Sequence, residues 1–255
     1  MAGEMETHAP ILEVESVEKR FGGVAAVHDV SMTVKKGARH GVIGPNGAGK
    51  TTLFNLITGS VYADRGQIRM FGRDVTRSPL QRRVALGLGR TYQITETFGT
   101  LTVRENLALA MFGLGRRQLL SLRPWRSVDD CSARVESLAL RFGLRPHCDH
   151  LVSELSHGEV RQLDIALAMA QHPRLLLLDE PGAGLSTGER MEIRAVLKAL
   201  PRDITFIIIE HDMDMLRDVA DWTTVLHSGQ VIAEGPHDVV AGNAEVRAVY
   251  LGAEL

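Results

Sequence analysis

The sequence predicts an α/β fold, and three observations support this. Short apolar runs alternate with helical segments, a glycine-rich loop joins one such run to a helix, and the middle of the chain is helical only. Alternating strands and helices favour a largely parallel sheet covered on both faces. The chain has 255 residues, enough for one α/β domain. We expect a single domain over residues 1–255, with an inserted α-helical subdomain at 97–157 and a C-terminal tail at 236–255.

The individual elements follow from local residue patterns. β-forming residues over 11–42 predict an N-terminal antiparallel β subdomain that leads into one buried strand. A helix is expected from residue 50, and "GQIRMFGRDV" predicts a hairpin at 66–75. Helical patterns return between 101 and 142. The last third predicts, in order, a helix after 155, a strand at 174–179, a helix at 187–200, a strand at 204–210, a helix at 213–220 and a hairpin at 222–235.

Composition narrows the class of protein. The net charge of −2 provides no global field for nucleic acid, so no nucleic-acid partner is expected. Cys131 and Cys148 lack metal or redox spacing. The most apolar runs are far shorter than the ~20 residues of a membrane-spanning helix, and no signal-peptide pattern opens the chain. Any work at a membrane would therefore go through a partner.

A phosphate-binding loop stands at "GPNGAGKTT", between a predicted strand and a predicted helix. It fits the pattern G-x-x-x-x-G-K-[ST], in which glycines let backbone N–H groups face phosphate oxygens. Lys50 would contact the β- and γ-phosphates, and the Thr51 hydroxyl would bind Mg²⁺. The loop predicts ATP and Mg²⁺ as cofactors. The candidate nucleotide-binding residues here are Gly44, Pro45, Asn46, Gly47, Ala48, Gly49, Lys50, Thr51 and Thr52.

Two carboxylates follow the leucine-rich run "RLLLLDEP". Asp179 and Glu180 fall at the carboxyl end of a buried strand, where open α/β sheets bind ligands. We expect Asp179 to lie in the Mg²⁺ shell and Glu180 to act as the base or water-positioning group.

Two further polar residues are candidates because of their context. Gln93 could contact Mg²⁺ or the attacking water through its amide, and His211, after the strand "ITFIIIE", could bond the γ-phosphate or Glu180. Taken alone, Gln93 would be assigned as a surface glutamine and His211 as a structural histidine.

The ordered set of motifs resembles the nucleotide-binding subunit of ATP-binding cassette (ABC) transporters, over nearly the whole chain. This resemblance implies a P-loop NTPase (RecA-like) core and ATP hydrolysis. "LSHGE" is similar to the family's signature loop, which implies that Ser156, Gly158 and Glu159 hold the nucleotide phosphate of a partner subunit. Phe21 matches the family's aromatic that stacks on adenine; as a lone aromatic it would be assigned to the core.

The resemblance also implies partners and a location. Two ATPase subunits, of the same or homologous chains, would enclose two ATP molecules head to tail and drive transmembrane permease subunits. An extracytoplasmic solute-binding protein would act indirectly. The chain would then lie peripherally on the cytoplasmic face of the plasma (inner) membrane. Stretches such as "GRTYQITETFGTLTVRENLALA" look like the branched-chain amino-acid importer subgroup, and "EHDMDMLRDVAD" also resembles urea importer ATPases.

Some positions depart from the family pattern or leave alternatives open. His157 and Glu159 replace the usual glycine and glutamine, and Ser186 stands at a usual aspartate, where Ser186 with Glu189 also fits a helix capping box. The basic stretch 116–126 is either a solvated loop or a contact with headgroups or permease; the stretch 94–100 is the favoured permease contact. The rival classes are a non-transport cassette protein, a P-loop kinase or GTPase, and a protein that only binds ATP.

Overall fold

The computed structural model describes residues 10–91, 97–112 and 129–251. Elements are numbered in chain order. The strands are β1 (Pro10–Phe21), β2 (Val24–Lys35), β3 (Arg39–Ile43), β4 (Arg65–Met70), β5 (Arg73–Asp74), β6 (Leu88–Arg90), β7 (Leu175–Asp179), β8 (Thr205–Ile209), β9 (Trp222–His227) and β10 (Gln230–Pro236). The helices are α1 (Lys50–Thr58), α2 (Leu80–Leu86), α3 (Val103–Phe112), α4 (Asp129–Arg141), α5 (His157–Met169), α6 (Thr187–Lys198), α7 (Met213–Val219), α8 (His237–Gly242) and α9 (Ala244–Leu251).

The chain divides into two compact units. The first comprises Met1–Leu88 and Pro201–Leu255, and the second comprises Gly89–Leu200. The second unit is thus wider than the helical insertion expected at 97–157, because it also holds β7 and α6.

An antiparallel sheet of order β2-β1-β4-β5 forms the N-terminal part of the first unit. Its β1–β2 pairing runs from Pro10 opposite Lys35 to Phe21 opposite Val24. Alternating burial along β2 places valines on the inner face, as expected for a sheet with one covered face. The predicted N-terminal β subdomain is confirmed, and the hairpin at 66–75 joins it through β4.

Parallel strands occupy the other part of the first unit. β3 pairs in parallel with β8 and with β9, while β10 returns antiparallel to β9. All five residues of β3 and of β8 are buried, as expected for parallel strands covered on both faces. β8 is almost entirely apolar, whereas β3 also carries the buried polar residues Arg39 and His40. The loop after β3 leads directly into α1.

A buried arginine of α2 binds the C-terminal end of α1. Arg83, on α2, is fully buried and donates to the carbonyl oxygens of Leu56 at 2.6 Å and Ile57 at 2.7 Å. It also donates to Ser78 O and Thr76 O. A cation against the last carbonyls of a helix satisfies their acceptor capacity and complements the helix dipole.

The second unit is mostly helical around one buried strand. β7 carries four leucines with no exposure, and Thr91, just after β6, donates its N–H to Leu177 O at 2.9 Å. Helix α3 packs against α4 and α5, and α5 packs against α6. Cys131 and Cys148 are both buried free thiols.

Four elements were not expected from the sequence: β6, α2, α8 and α9. Each is ten residues or shorter. In α2, "LQRRVAL", the only buried residue is an arginine, so no apolar period marks this helix in the sequence. Among the described residues, no helix is long and apolar enough to cross a bilayer.

Candidate functional site

The glycine-rich loop of the first unit is shaped by its neighbours in that unit. Gly44 has φ 154°, and a Cβ there would lie 2.1 Å from Leu226 O. Gly49 has φ 101°, and a Cβ there would lie 2.3 Å from Ala26 O. Both glycines are therefore required by close backbone approach to β9 and β2 as well as by the curl of the loop.

Helix α1 begins at Lys50, directly after this loop. Its N-cap is Gly49, with no side-chain cap hydrogen bond, so its first N–H groups face the loop without a capping carboxylate or hydroxyl. Such a helix N-terminus favours anions. Asn46 and Gly47 are exposed at the tip of the loop, while Ala48 is buried.

Lys50 curls back over the loop. Its ammonium donates to Gly44 O at 2.7 Å and to Pro45 O at 3.0 Å, and the residue is buried. An ammonium with rotatable donors can exchange carbonyl oxygens for phosphate oxygens. Thr51 is exposed at the first turn of α1, and Thr52 is half-buried.

Phe21 ends β1 and is not a core residue. Its ring is 52% exposed, and the Lys19 ammonium lies 5.5 Å from the ring centroid. An exposed aromatic beside a cation offers both a stacking face and a positive charge. The alternative assignment of Phe21 to the core is therefore excluded.

His211 lies in the first unit, just after β8. Its imidazole is largely exposed, and Nδ1 is 4.0 Å from an oxygen of the buried Glu210 carboxylate. The His211 N–H donates to the same carboxylate at 3.3 Å. The Glu210 carboxylate thus contacts the backbone N–H of His211, an arrangement that was not predicted from the sequence.

Asp179 ends β7 in the second unit and is almost fully buried. The Arg90 guanidinium lies 3.2 Å from Asp179 Oδ2. Burial raises the pKa of the Asp179 carboxyl, and Arg90 opposes that rise. Arg90 was missed by sequence reasoning because only the pairing of β6 with β7 brings it beside Asp179.

Glu180 follows Asp179 with an unusual backbone. Its φ of 46° lies in the left-handed region, which costs free energy for a residue with a Cβ. Such strain in native structures clusters at functional sites. Glu180 is half-buried, whereas the strand residues that precede it are buried.

The loop at 155–159 opens α5 with a capping box. Glu159 accepts from Ser156 N at 2.7 Å, and Ser156 Oγ accepts from Glu159 N at 3.3 Å. Burial raises the pKa of Glu159, but hydrogen bonds from Ser156 lower it overall. The spacing S-x-x-E is the same as at Ser186–Glu189 and was an available sequence signal.

The predicted capping box at Ser186 is confirmed. Ser186 Oγ accepts from Glu189 N at 3.4 Å, and Glu189 Oε2 accepts from Ser186 N at 2.9 Å. Glu189 also contacts the first turn of α5, because its Oε1 accepts from Gly158 N at 2.8 Å. These bonds lower the pKa of Glu189.

The predicted site residues thus fall into two groups. Phe21, the loop 44–52 and His211 belong to the first unit. Asp179, Glu180 and the loop 155–159 belong to the second. Gln93 and the stretch 116–126 lie outside the described residues.

The fold and the glycine-rich loop together define a P-loop ATPase. The family model for the ABC transporter matches residues 27–183. The chain belongs to the ABC transporter family, as a subunit that binds and hydrolyses ATP.

Curated relatives match along almost the whole chain. The high-affinity branched-chain amino acid transport ATP-binding protein LivG of Salmonella typhimurium is 34% identical, over 95% of this chain and 98% of its own. A probable LivG of Archaeoglobus fulgidus is 35% identical, over 96% of each chain. The protein BraF of Pseudomonas aeruginosa, with the same transport role in its name, is 33% identical over 95% of this chain and 98% of its own.

Solved structures agree with this assignment. MJ1267, an ATP-binding cassette of an ABC transporter in its ADP conformation, superimposes with a TM-score of 0.84 and 31% identity. The match covers 95% of this chain and 99% of that one.

Proposed function

We propose that this chain powers the import of branched-chain amino acids by ATP-driven closure of an ATPase dimer. The observation that carries the proposal is the full motif order on a chain 33–35% identical, end to end, to LivG and BraF proteins. The solute would contact the membrane subunits and the binding protein rather than this subunit.

The first unit would hold the nucleotide. The exposed Phe21 ring would stack on the adenine, and the N–H groups of the loop 44–49 would surround the phosphates. Lys50 would release Gly44 O and Pro45 O to take the β- and γ-phosphate oxygens. Thr51 and Thr52, in the first turn of α1, would add hydroxyl contacts.

The proposed Mg²⁺ ligands are Thr51, Gln93 and Asp179. All are oxygen donors, the type that Mg²⁺ prefers, and one carboxylate is enough because Mg²⁺ keeps waters and phosphate oxygens in its shell. The buried Asp179 fits such a role, since a bound cation would stabilise the charged form of a carboxyl whose pKa burial raises and Arg90 lowers only in part. When bound, the ion would neutralise charge on the β- and γ-phosphates.

Glu180 is the proposed general base. It would orient a water and take its proton as that water attacks the γ-phosphate and the bond to ADP breaks. His211, held through its backbone by Glu210, would contact the γ-phosphate, and Gln93 would sense it.

The loop 155–159 is proposed to complete the site of a partner subunit. Ser156 and Gly158 would contact the partner's γ-phosphate, with Glu159 fixing the loop through its capping box. The loop 155–159 has no lysine. It could therefore bind a phosphate through its hydroxyl and backbone N–H groups, while Lys50 of the partner subunit would supply the positive charge. Closing the dimer would follow ATP binding, and opening would follow hydrolysis.

Permease subunits are the proposed membrane partners, with this chain peripheral on the cytoplasmic side. In the stretch 94–100, the described part includes Phe98, whose side chain is 60% exposed. Asn106 holds the Phe98 backbone by accepting from its N–H at 2.9 Å and donating to its carbonyl at 3.1 Å. A fixed, exposed aromatic suits a helix-docking contact.

Purification of the intact membrane complex tests this proposal. We expect tagged protein to bring down permease subunits, and the associated binding protein to bind leucine, isoleucine or valine. A complex whose binding protein takes urea instead would overturn the solute. Recovery without any permease, in detergent that preserves other transporters, would contradict the transport role.

A further inference from the structure

Glu189 joins the first turn of α5 to the residue that caps α6. One carboxylate oxygen accepts from Gly158 N, and the other accepts from the Ser186 hydroxyl at 2.7 Å and from Ser186 N. A single side chain therefore connects the N-terminal ends of two helices across 31 residues of sequence, by hydrogen bonds that favour its charged form.

Position 158 is shaped for this contact. A Cβ at Gly158 would lie 2.8 Å from Glu189 Cγ and 3.0 Å from its Oε1. A glycine there admits the carboxylate to the backbone N–H, and any larger residue would push it away.

The first turn of α5 is consequently supplied with anions from its own chain. Glu159 binds Ser156 N and Glu189 binds Gly158 N. These are N–H groups at the positive end of a 13-residue helix, which also favours a phosphate. One N–H cannot donate a full-strength hydrogen bond to a carboxylate and to a phosphate at once, and the two anions repel each other.

We propose that Glu189 is a positioning residue that stands in for the γ-phosphate at Gly158 and is displaced when the partner's nucleotide arrives. This inference rests on the proposed role of the loop 155–159 in a shared site. Since the same carboxylate holds Ser186, its displacement changes the hydrogen bonds of the loop before α6. Binding of the partner's phosphate at the loop 155–159 is thereby transmitted to the loop before α6.

Dimerisation with hydrolysis blocked tests the proposal. In a Glu180→Gln background with ATP and Mg²⁺, sedimentation velocity gives the protein concentration at which half the chains are dimeric. Adding Glu189→Gln removes the competing charge, so we expect that concentration to fall about two- to fivefold, the range of exposed charge interactions.

Glu192→Gln is the matched control. Glu192 lies on the same helix and accepts from Gln162 on α5 at 3.3 Å, whereas Gly158 N donates to Glu189. It should leave the dimer midpoint unchanged. Equal midpoints for Glu189→Gln, Glu192→Gln and the parent would overturn the role of Glu189 while leaving the shared site intact.

Hydrogen exchange at the Gly158 amide adds a readout that does not depend on dimer formation. Without nucleotide, Glu189→Gln should speed this exchange and Glu192→Gln should not. Unchanged exchange would overturn the proposal even if a weaker α6 cap altered stability. If the Glu180→Gln parent binds ATP but never dimerises, the shared site itself is overturned, and this inference with it.

Discussion

At the scale of single residues, the proposed hydrolysis of ATP depends most on Glu180. Its left-handed backbone sets it apart from the buried Asp179 that precedes it. The two adjacent carboxylates are therefore placed in different environments, which suits one to bind a cation and the other to activate water.

Glu180→Gln should retain ATP binding and stop turnover, because the phosphate loop remains while the base is lost. We expect the steady-state ATPase rate to fall by at least about 10²-fold, within the range of general-base catalysis. A nucleotide-binding titration measured in parallel should be unchanged. ATP hydrolysis near the wild-type rate would show that Glu180 is not the catalytic carboxylate.

Phe21→Ala should weaken ATP binding by roughly 1–3 kcal/mol, the scale of base–aromatic stacking. GTP should weaken in parallel, since stacking hardly distinguishes base edges. Val24 is also exposed and pairs opposite Phe21, so Val24→Ala is a matched control that should leave affinity unchanged. Equal affinities for Phe21→Ala and wild type would remove Phe21 from the site.

The residues that sequence reasoning found are those with a local pattern. The loop 44–52, Asp179, Glu180 and the Ser186 capping box each occupy a contiguous motif, and backbone geometry acts over the same few residues. Arg90 and the contact of Glu189 with Gly158 depend on pairing between distant segments. No spacing in the sequence encodes these contacts, although S-x-x-E at Ser156 was readable and was not used.

At the scale of elements, α1 is held at both ends by backbone-directed contacts. Its N-terminus faces the glycine-rich loop, and Arg83 donates hydrogen bonds to carbonyl oxygens of its last turn. Long elements with clear periods, such as β1, β2 and α6, were predicted. Helix α2 was not, since its contribution is one buried cation rather than an apolar stripe.

Arg83→Met should lower the free energy of unfolding by about 3 kcal/mol, because the carbonyls of Leu56 and Ile57 lose a charged donor in a buried setting. Urea denaturation measures this. The neighbouring Arg82 is exposed, so Arg82→Met should change stability by no more than about 0.5 kcal/mol. Equal effects of the two substitutions would contradict the proposed anchoring of α1.

Strand β3 gives a pH prediction. His40 is buried, its Nε2 lies 2.8 Å from Thr224 Oγ1, and burial lowers its pKa to about 4. Between about pH 6.5 and pH 4 the unfolded chain takes up a proton at this residue that the folded chain does not. The free energy of unfolding should therefore fall as the pH drops through this window, by up to about 3 kcal/mol.

Urea denaturation from pH 7 to pH 4.5 measures the contribution of His40. His40→Gln should flatten the fall in stability, whatever its effect at neutral pH. The exposed His28 provides the control, and His28→Gln should keep the wild-type slope. Identical slopes for His40→Gln and wild type would contradict the assignment.

At the scale of the whole molecule, the central claim is that a complete site takes Lys50 from one chain and Ser156 from another. Lys50→Ala alone should be inactive, because both sites of its homodimer lack the phosphate lysine. Ser156→Arg alone should also be inactive, because a bulky cation replaces the hydroxyl at both clamps. In a mixed dimer, however, one site receives both lesions and the other receives none.

The most direct test is the ATPase rate of the two inactive variants mixed in equal amounts. We predict that activity returns in proportion to the heterodimer formed, while each variant alone stays inactive at the same total concentration. If the loop 155–159 served the phosphate of its own chain, every site in the mixture would carry a lesion. A mixture that forms heterodimers and stays inactive would contradict the shared site.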